Sequence, residues 1–485
     1  MRTALIGIFL VGFSLAAWGQ SPQALSAVAG QALLHSSVNA DLQQLSDTIG
    51  GRVTGSPAAA AAIEWAQQKM RAAGLEDVHA EPWTLEHGWR RVSASGRLLG
   101  AGGHALTLSS MGWTGSTPTG GVDGDVVEVN SYQLKQVIAN DTGNWRGKIL
   151  MLRPKGARPK NGLEAFTELD PFLRAAYKAG AVGVLGGQGA GASAGMNLTH
   201  TGVLGFNTVY DIPVVNLREE DQLQLERDLD AGLPVRLHLD VENVAGGPTP
   251  SANVVGEVRG SKYPDQVIVV GGHLDSWDLS EGSTDDGTGA MAAMAAVEAL
   301  AHSGVRPLRT VRVVLFTGEE QGLLGSLAYT ARHAKEMDKT VAALILDEGQ
   351  GPISDMEVGG HEGVIPKLQP LLKMLAGFGA PTVNDDSSFD TDSGPFTLSG
   401  SVGINLGQDS PDYRYTHHSE VDSFDHVRQD VLVRNTAELA VMAAYIADLP
   451  DRLDAAWSPD QVAAKLKQQH LEQELRAFGL WRFGN

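Results

Sequence analysis

The sequence predicts an α/β protein: a three-layer α/β/α sandwich with a mixed, mostly parallel central sheet, interrupted by a β-rich insert. Three observations carry that expectation. Between residues 250 and 450 strand-like and helix-like runs alternate, with strands at 266–270, 311–316 and 341–346 and helices at 289–302, 323–334, 365–378 and 431–446. Alternation of this kind builds sheets whose crossover helices cover both faces. The run Val267-Ile-Val-Val270 shows no polar alternation, which suits a central strand buried on both sides. From Thr117 the texture changes to short β runs punctuated by glycine turns, at 124–129, 147–153 and 235–244.

Taken in order, the chain opens with Arg2, an apolar stretch over 3–17, and Ala17-Trp18-Gly19, with small residues placed for a cleavage before Gln20. Residues 1–19 therefore read as a secretory signal peptide. The apolar run is too short for an ordinary membrane span. Residues 20–117 begin the core domain, with a polar helix at 30–48 and a turn at 49–56. A second helix is capped by Ser56, carries Pro57 at its first position and stops at Gly74. Strand-like runs follow at 78–83 and 90–99. Residues 118–248 form the insert, in which 170–185 reads as a helix followed by a buried strand. The core resumes over 249–450. A helical tail, 451–485, spaces Val462, Leu466 and Leu475 for one apolar face, suited to packing on the domain or on a partner subunit.

Composition narrows the function classes. A chain of 485 residues with a hydrophobic fraction of 42% has the size for at least two domains and a substantial core. A formal charge of −20 argues against nucleic acid or an anionic membrane as partner. The chain has no cysteine, so an exported protein of this size relies on its core and on bound metal rather than on disulfides. The expected location is the periplasm or the exterior.

The chemistry concentrates at strand ends. The strand at 266–270 runs into Gly-Gly-His273-Leu-Asp275-Ser-Trp-Asp and then Asp285-Asp-Gly-Thr-Gly; that at 311–316 into Thr-Gly-Glu319-Glu320-Gln-Gly; that at 341–346 into Asp347-Glu-Gly. Near the end stands Tyr415-Thr-His417-His418-Ser-Glu-Val-Asp422. One Glu-Glu or His-His pair is an ordinary solvated feature. Four clusters on successive α/β units, where open sheets gather their ligands, point to a metal site.

These motifs and their intervals resemble the co-catalytic dizinc exopeptidases, in their carboxypeptidase-Q-like branch. The segment 118–248 likewise resembles a protease-associated domain, through its Gly-Lys-Ile-Leu strand, its helix ending in Ala-Gly-Ala and its Val-Gly-Val strand. The resemblance implies the zinc exopeptidase fold and two zinc ions per chain. One zinc would be held by His273 and Asp347, the other by Glu320 and His418, with Asp285 bridging them. His418 is preferred to His417 because the family pattern is His-Ser/Thr-x-x-Asp. Imidazole and carboxylate ligands suit zinc, and two ions about 3.5–4 Å apart need one bridging carboxylate.

Glu319 and Asp275 complete the implied catalytic set. Glu319 would take a proton from a hydroxide-forming water between the metals and pass it to the leaving amine. Asp275 would hold His273 in its tautomer. The resemblance further implies a cis bond at Asp285–Asp286, a homodimer, and hydrolysis of short peptides or dipeptides. An aminopeptidase acting on longer peptides would use the same metal residues. The pocket candidates are 390–396 and 409–415.

Two rivals are weaker. Gly191-Ala-Ser193-Ala-Gly195 fits a nucleophile-elbow pattern, but no helix clearly follows it. A non-catalytic, receptor-like protein would have no need to keep all five ligand positions and the base. His361, in a loop, reads as solvated rather than ligating.

Overall fold

The structure, a computed structural model, describes residues 21–156, 162–186, 197–379 and 381–484. The segment 1–19 and the stretch 191–195 lie outside the described residues. Two eight-stranded mixed sheets dominate. The core sheet is ordered Glu76–Leu85, Thr249–Val258, Arg309–Phe316, Tyr263–His273, Thr340–Leu346, Gly403–Gln408, Ile353–Glu357, Thr382–Asn384. Its four central strands, from Arg309–Phe316 to Gly403–Gln408, are parallel, and antiparallel pairings enter on either side.

The unbroken apolar strands follow from burial on both faces. Ile268 and Val270 join a layer with the helices Pro22–His35, Thr288–His302 and Gln429–Ala447, while Val269 joins Tyr329 and Phe396 on the other side. Side chains alternate across a strand, so each layer receives every second residue, and no position is left for a polar one. The helix Thr288–His302 is buried along nearly its whole length.

Local signals hold where the chain carries them. Ser56 accepts a hydrogen bond from the Ala59 N–H, Pro57 opens the helix Pro57–Ala72, and Gly74 turns at φ +75°. The helix expected over 30–48 is instead two, Pro22–His35 and Val38–Gln44, with a further turn at Leu45–Ile49. Ser36 breaks it: its backbone is extended and its hydroxyl accepts from the Val38 N–H. The tail folds back on its own chain, with Val462, Leu466 and Leu475 buried against Leu323, Phe389 and Leu398.

The second sheet is ordered Ala105–Leu106, Trp89–Leu98, Arg236–Ala245, Val122–Asn130, Lys148–Arg153, Gly183–Leu185, Val214–Leu217, Leu108–Ser110. It thus takes in residues 89–110 as well as strands of the 118–248 segment. A two-stranded ribbon joins the sheets: Leu85 pairs with Thr249 in one and Trp89 with Ala245 in the other. Trp89, Trp113 and Trp277 pack together at this junction, with ring centroids 5.4–6.5 Å apart.

Candidate metal centre

Sheet register assembles the site. His273 ends its strand level with Phe316 on one neighbour, and Gly271 is level with Ile345 on the other. Residues just beyond those strands, Glu319, Glu320 and Asp347, therefore reach the same sheet edge as His273. The chain leaves Tyr263–His273 toward Arg309–Phe316 on one side and Thr340–Leu346 on the other. Such a reversal of strand order opens a crevice at the carboxyl ends. The glycines make the approach close enough. A Cβ on Gly289 would lie 1.9 Å from the Leu346 carbonyl oxygen, and one on Gly272 would lie 2.5 Å from Asp286 Oδ2.

Within this crevice Asp285 stands between two imidazoles, 3.4 Å from His273 Nε2 through Oδ1 and 3.3 Å from His418 Nε2 through Oδ2. His273 Nε2 is also 3.4 Å from Asp347 Oδ1, and His418 Nε2 is 2.9 Å from Glu320 Oε2. The structure thus brings all five expected ligands together, with Asp285 shared by two clusters. His417 Nε2 approaches Asp285 Oδ2 at 3.9 Å, so geometry alone also admits an Asp285, His417, His418 group. Glu319 sits by the other imidazole, its Oε2 3.9 Å from His273 Nε2. The hydrogen bond that fixes the His273 tautomer goes to the Asp275 carbonyl oxygen, 2.9 Å from Nδ1; its carboxylate stands at 3.6 Å and accepts from Thr54 Oγ1 at 2.7 Å. The peptide Asp285–Asp286 is cis.

The model of Peptidase family M28 matches residues 253–443. Carboxypeptidase Q of Mus musculus is 30% identical over 411 residues, 84% of this chain and 85% of that one. The chain belongs to peptidase family M28. Among solved structures, a peptidase M28 precursor from Shewanella amazonensis aligns with TM-score 0.79 at 28% identity, covering 90% of this chain and 99% of that one. A zinc aminopeptidase from Bacillus subtilis shares the fold at TM-score 0.63 and 21% identity, covering 87% and 97%.

The M28 site is an excess of buried acid. Burial acts to raise the pKa of Asp285, but its hydrogen bond to His273 and the nearby imidazoles hold it well below the usual carboxylate range. Burial pushes Asp347 up to about 6, and it drives Glu319 and Glu320 well above the carboxylate range, helped by the neighbouring carboxylates. His417 falls to about 3 through burial beside His418. Asp285 Oδ2 and Glu320 Oε1 are buried without hydrogen-bond partners among the described residues. Crowded carboxylates, unsatisfied oxygens and two imidazoles fit divalent zinc, whose charge would relieve the repulsion.

Three supporting residues escaped the sequence reading. Arg52, fully buried, donates to the carbonyls of Leu274, Gly50, Glu281 and Gly282 and so staples the loop between His273 and Asp285. Burial lowers it to about 10, which leaves it cationic at neutral pH. Asp286 accepts from the N–H groups of His273 and Gly289, both at 3.0 Å. Asp422 accepts from Thr284 N at 2.6 Å and Asp285 N at 3.2 Å. The last two stood inside quoted motifs with no role to mark them. His361, expected to be solvated, is buried: Nδ1 is 2.9 Å from Asp454 Oδ2 and the ring stacks on Trp457 at 3.8 Å. Those partners come from the tail, which the loop's own sequence does not show.

Proposed function

We propose that this M28 peptidase is a two-zinc exopeptidase that cleaves dipeptides and short peptides bearing a free amino end. One observation carries the reading. The cavity over the ligands, about 390 Å³, is faced by Glu348 and Asp390 beyond the metal residues, and among the described residues no lysine or arginine lines it. Such a space admits a short peptide. A free α-ammonium would find its countercharge there, whereas an α-carboxylate would meet like charge.

His273 and Asp347 would hold one zinc, Glu320 and His418 the other, with Asp285 between. Zinc, when bound, would polarise the scissile carbonyl and acidify the attacking water. The chain's own part is proton handling. Glu319, at the cavity wall, accepts the proton of that water and returns it to the departing amine nitrogen. We also assign the second sheet to the protease-associated type, on the succession of strand Lys148–Arg153, helix Gly162–Ala179 and strand Gly183–Leu185.

A substrate panel on zinc-loaded protein tests the reading. Free dipeptides and aminoacyl anilides should be cleaved, and amino-terminally blocked peptides should resist. Release of the last residue from blocked peptides, at rates equal to those of free ones, would reject it. Preference for tetrapeptides over dipeptides would favour the aminopeptidase of longer peptides.

A further inference from the structure

His418 belongs to a loop of the core domain, yet the donors to its carbonyl and to that of His417 come from the second domain. Residues 199–202 run alongside 417–420. Thr201 N donates to the His418 carbonyl at 2.9 Å, and His200 Nδ1 donates to the His417 carbonyl at 2.8 Å. Thr199 gives both its N–H and its hydroxyl to Glu420 Oε2, at 2.9 and 2.7 Å, and His200 forms an antiparallel bridge with Ser419.

The imidazole is enclosed as well as its backbone. A Cβ on Gly202 would lie 3.4 Å from His418 Nδ1, and Trp277 meets the ring edge-to-face at 5.9 Å. His418 adopts φ +59°, a left-handed conformation uncommon for a residue with a Cβ. The strap is itself anchored. Thr201 Oγ1 donates to the Ser110 carbonyl at 3.0 Å, and Arg91 reaches both Thr201 Oγ1, at 2.9 Å, and Asp278, at 3.0 Å. His200 is buried and its Nε2 has no partner among the described residues, where the ring's hydrogen bond is the one to His417. The other cluster differs. The partners described for His273 are Asp275 and Asp286, both of the core domain.

We infer that His200 and Thr199 are positioning residues for the zinc held by Glu320 and His418, so that the second domain sets the affinity of one metal and not of the other. The inference rests on the two-zinc reading above. Groups that orient metal ligands typically change affinity by about 10–100-fold when removed.

Equilibrium dialysis of metal-stripped full-length protein against graded zinc tests it. Wild type should bind in two steps. His200→Phe, which keeps a ring but offers no donor to the His417 carbonyl, should weaken one step by about 10–100-fold and leave the other unchanged. That step should be the one Glu320→Gln removes, and adding His200→Phe to Glu320→Gln should not alter the remaining step. His200→Asn, which keeps an N–H donor, should recover part of the loss. Thr199→Val should weaken the same step several-fold.

Unchanged binding in His200→Phe overturns the inference. So does equal weakening of both steps together with a lower melting temperature of the metal-free protein, since that is general damage to the fold. If His200→Phe does not fold, Thr199→Val decides, and unchanged two-step binding there overturns the inference. Wild-type protein that binds no zinc contradicts the two-zinc reading itself and this inference with it.

Discussion

Glu319 and Glu320 are neighbours in sequence with opposite surroundings, one on the cavity wall and one against His418. Their glutamine variants should therefore fail differently. Glu319→Gln keeps shape and ligands, so zinc content should stay near normal while kcat falls by about 10²–10⁴, the usual worth of a general base. Glu320→Gln removes a ligand charge, so one zinc should be lost along with activity, and excess zinc should restore part of it. Metal analysis beside single-turnover rates checks both, and the reverse pattern would exchange their roles. Arg52→Ala would remove the donor from four backbone carbonyls, two of them in fully buried bonds. It should lower unfolding free energy by more than about 3 kcal/mol, read by urea denaturation of the metal-free protein. The ligands were legible in the sequence because each keeps its motif, and His273, Glu320 and Asp347 lie at or within a few residues of a strand end. Arg52 was not, because its carbonyl partners at 274, 281 and 282 lie more than 200 positions away and a lone arginine in a turn marks nothing.

At the scale of elements, the site depends on how closely the helix Thr288–His302 abuts the strand ends. Gly289→Ala should push that helix away from Leu346 and Asp286, costing about 1–3 kcal/mol of stability and weakening zinc binding. Thermal melts with and without zinc would show it, and a variant as stable and as tightly metallated as wild type would refute the packing argument. Three of the four parallel core strands were readable because burial on both faces leaves continuous apolar runs. Thr249–Val258 and Gly403–Gln408 were not. Each carries a buried amide that breaks the run: Asn253 bonds Gly325 O and Thr317 N, and Asn405 bonds Glu348 and Glu357. Those partners satisfy the amides only after the chain has folded, so no local pattern could predict that a polar residue belongs in a central strand.

At the scale of the whole molecule, buried acid links stability to pH and to metal. Burial pushes Asp392 and Asp422 up to about 7. Between the usual carboxylate pKa and 7 the folded protein keeps protons that the unfolded chain has released. Their contribution is thus fully present at acid pH and is lost as pH rises through 7. Metal-free protein should accordingly be less stable at pH 8 than at pH 5, and zinc should narrow the difference by supplying the missing positive charge; calorimetry at the two pH values checks the sign. The mature amino terminus, read by sequencing protein purified from the native host, should lie near Gln20, and recovery of Met1 would refute the signal-peptide expectation. Among the described residues no helix is long and apolar enough to cross a membrane. The proposed two-zinc centre depends on Asp285 joining two metal positions. Anomalous diffraction at the zinc edge, from zinc-loaded crystals, addresses that most directly. The predicted result is a pair of peaks about 3.5–4 Å apart, one beside His273 and Asp347, one beside Glu320 and His418, with Asp285 touching both. A single peak, or a pair to which Asp285 contributes no ligand, would contradict it.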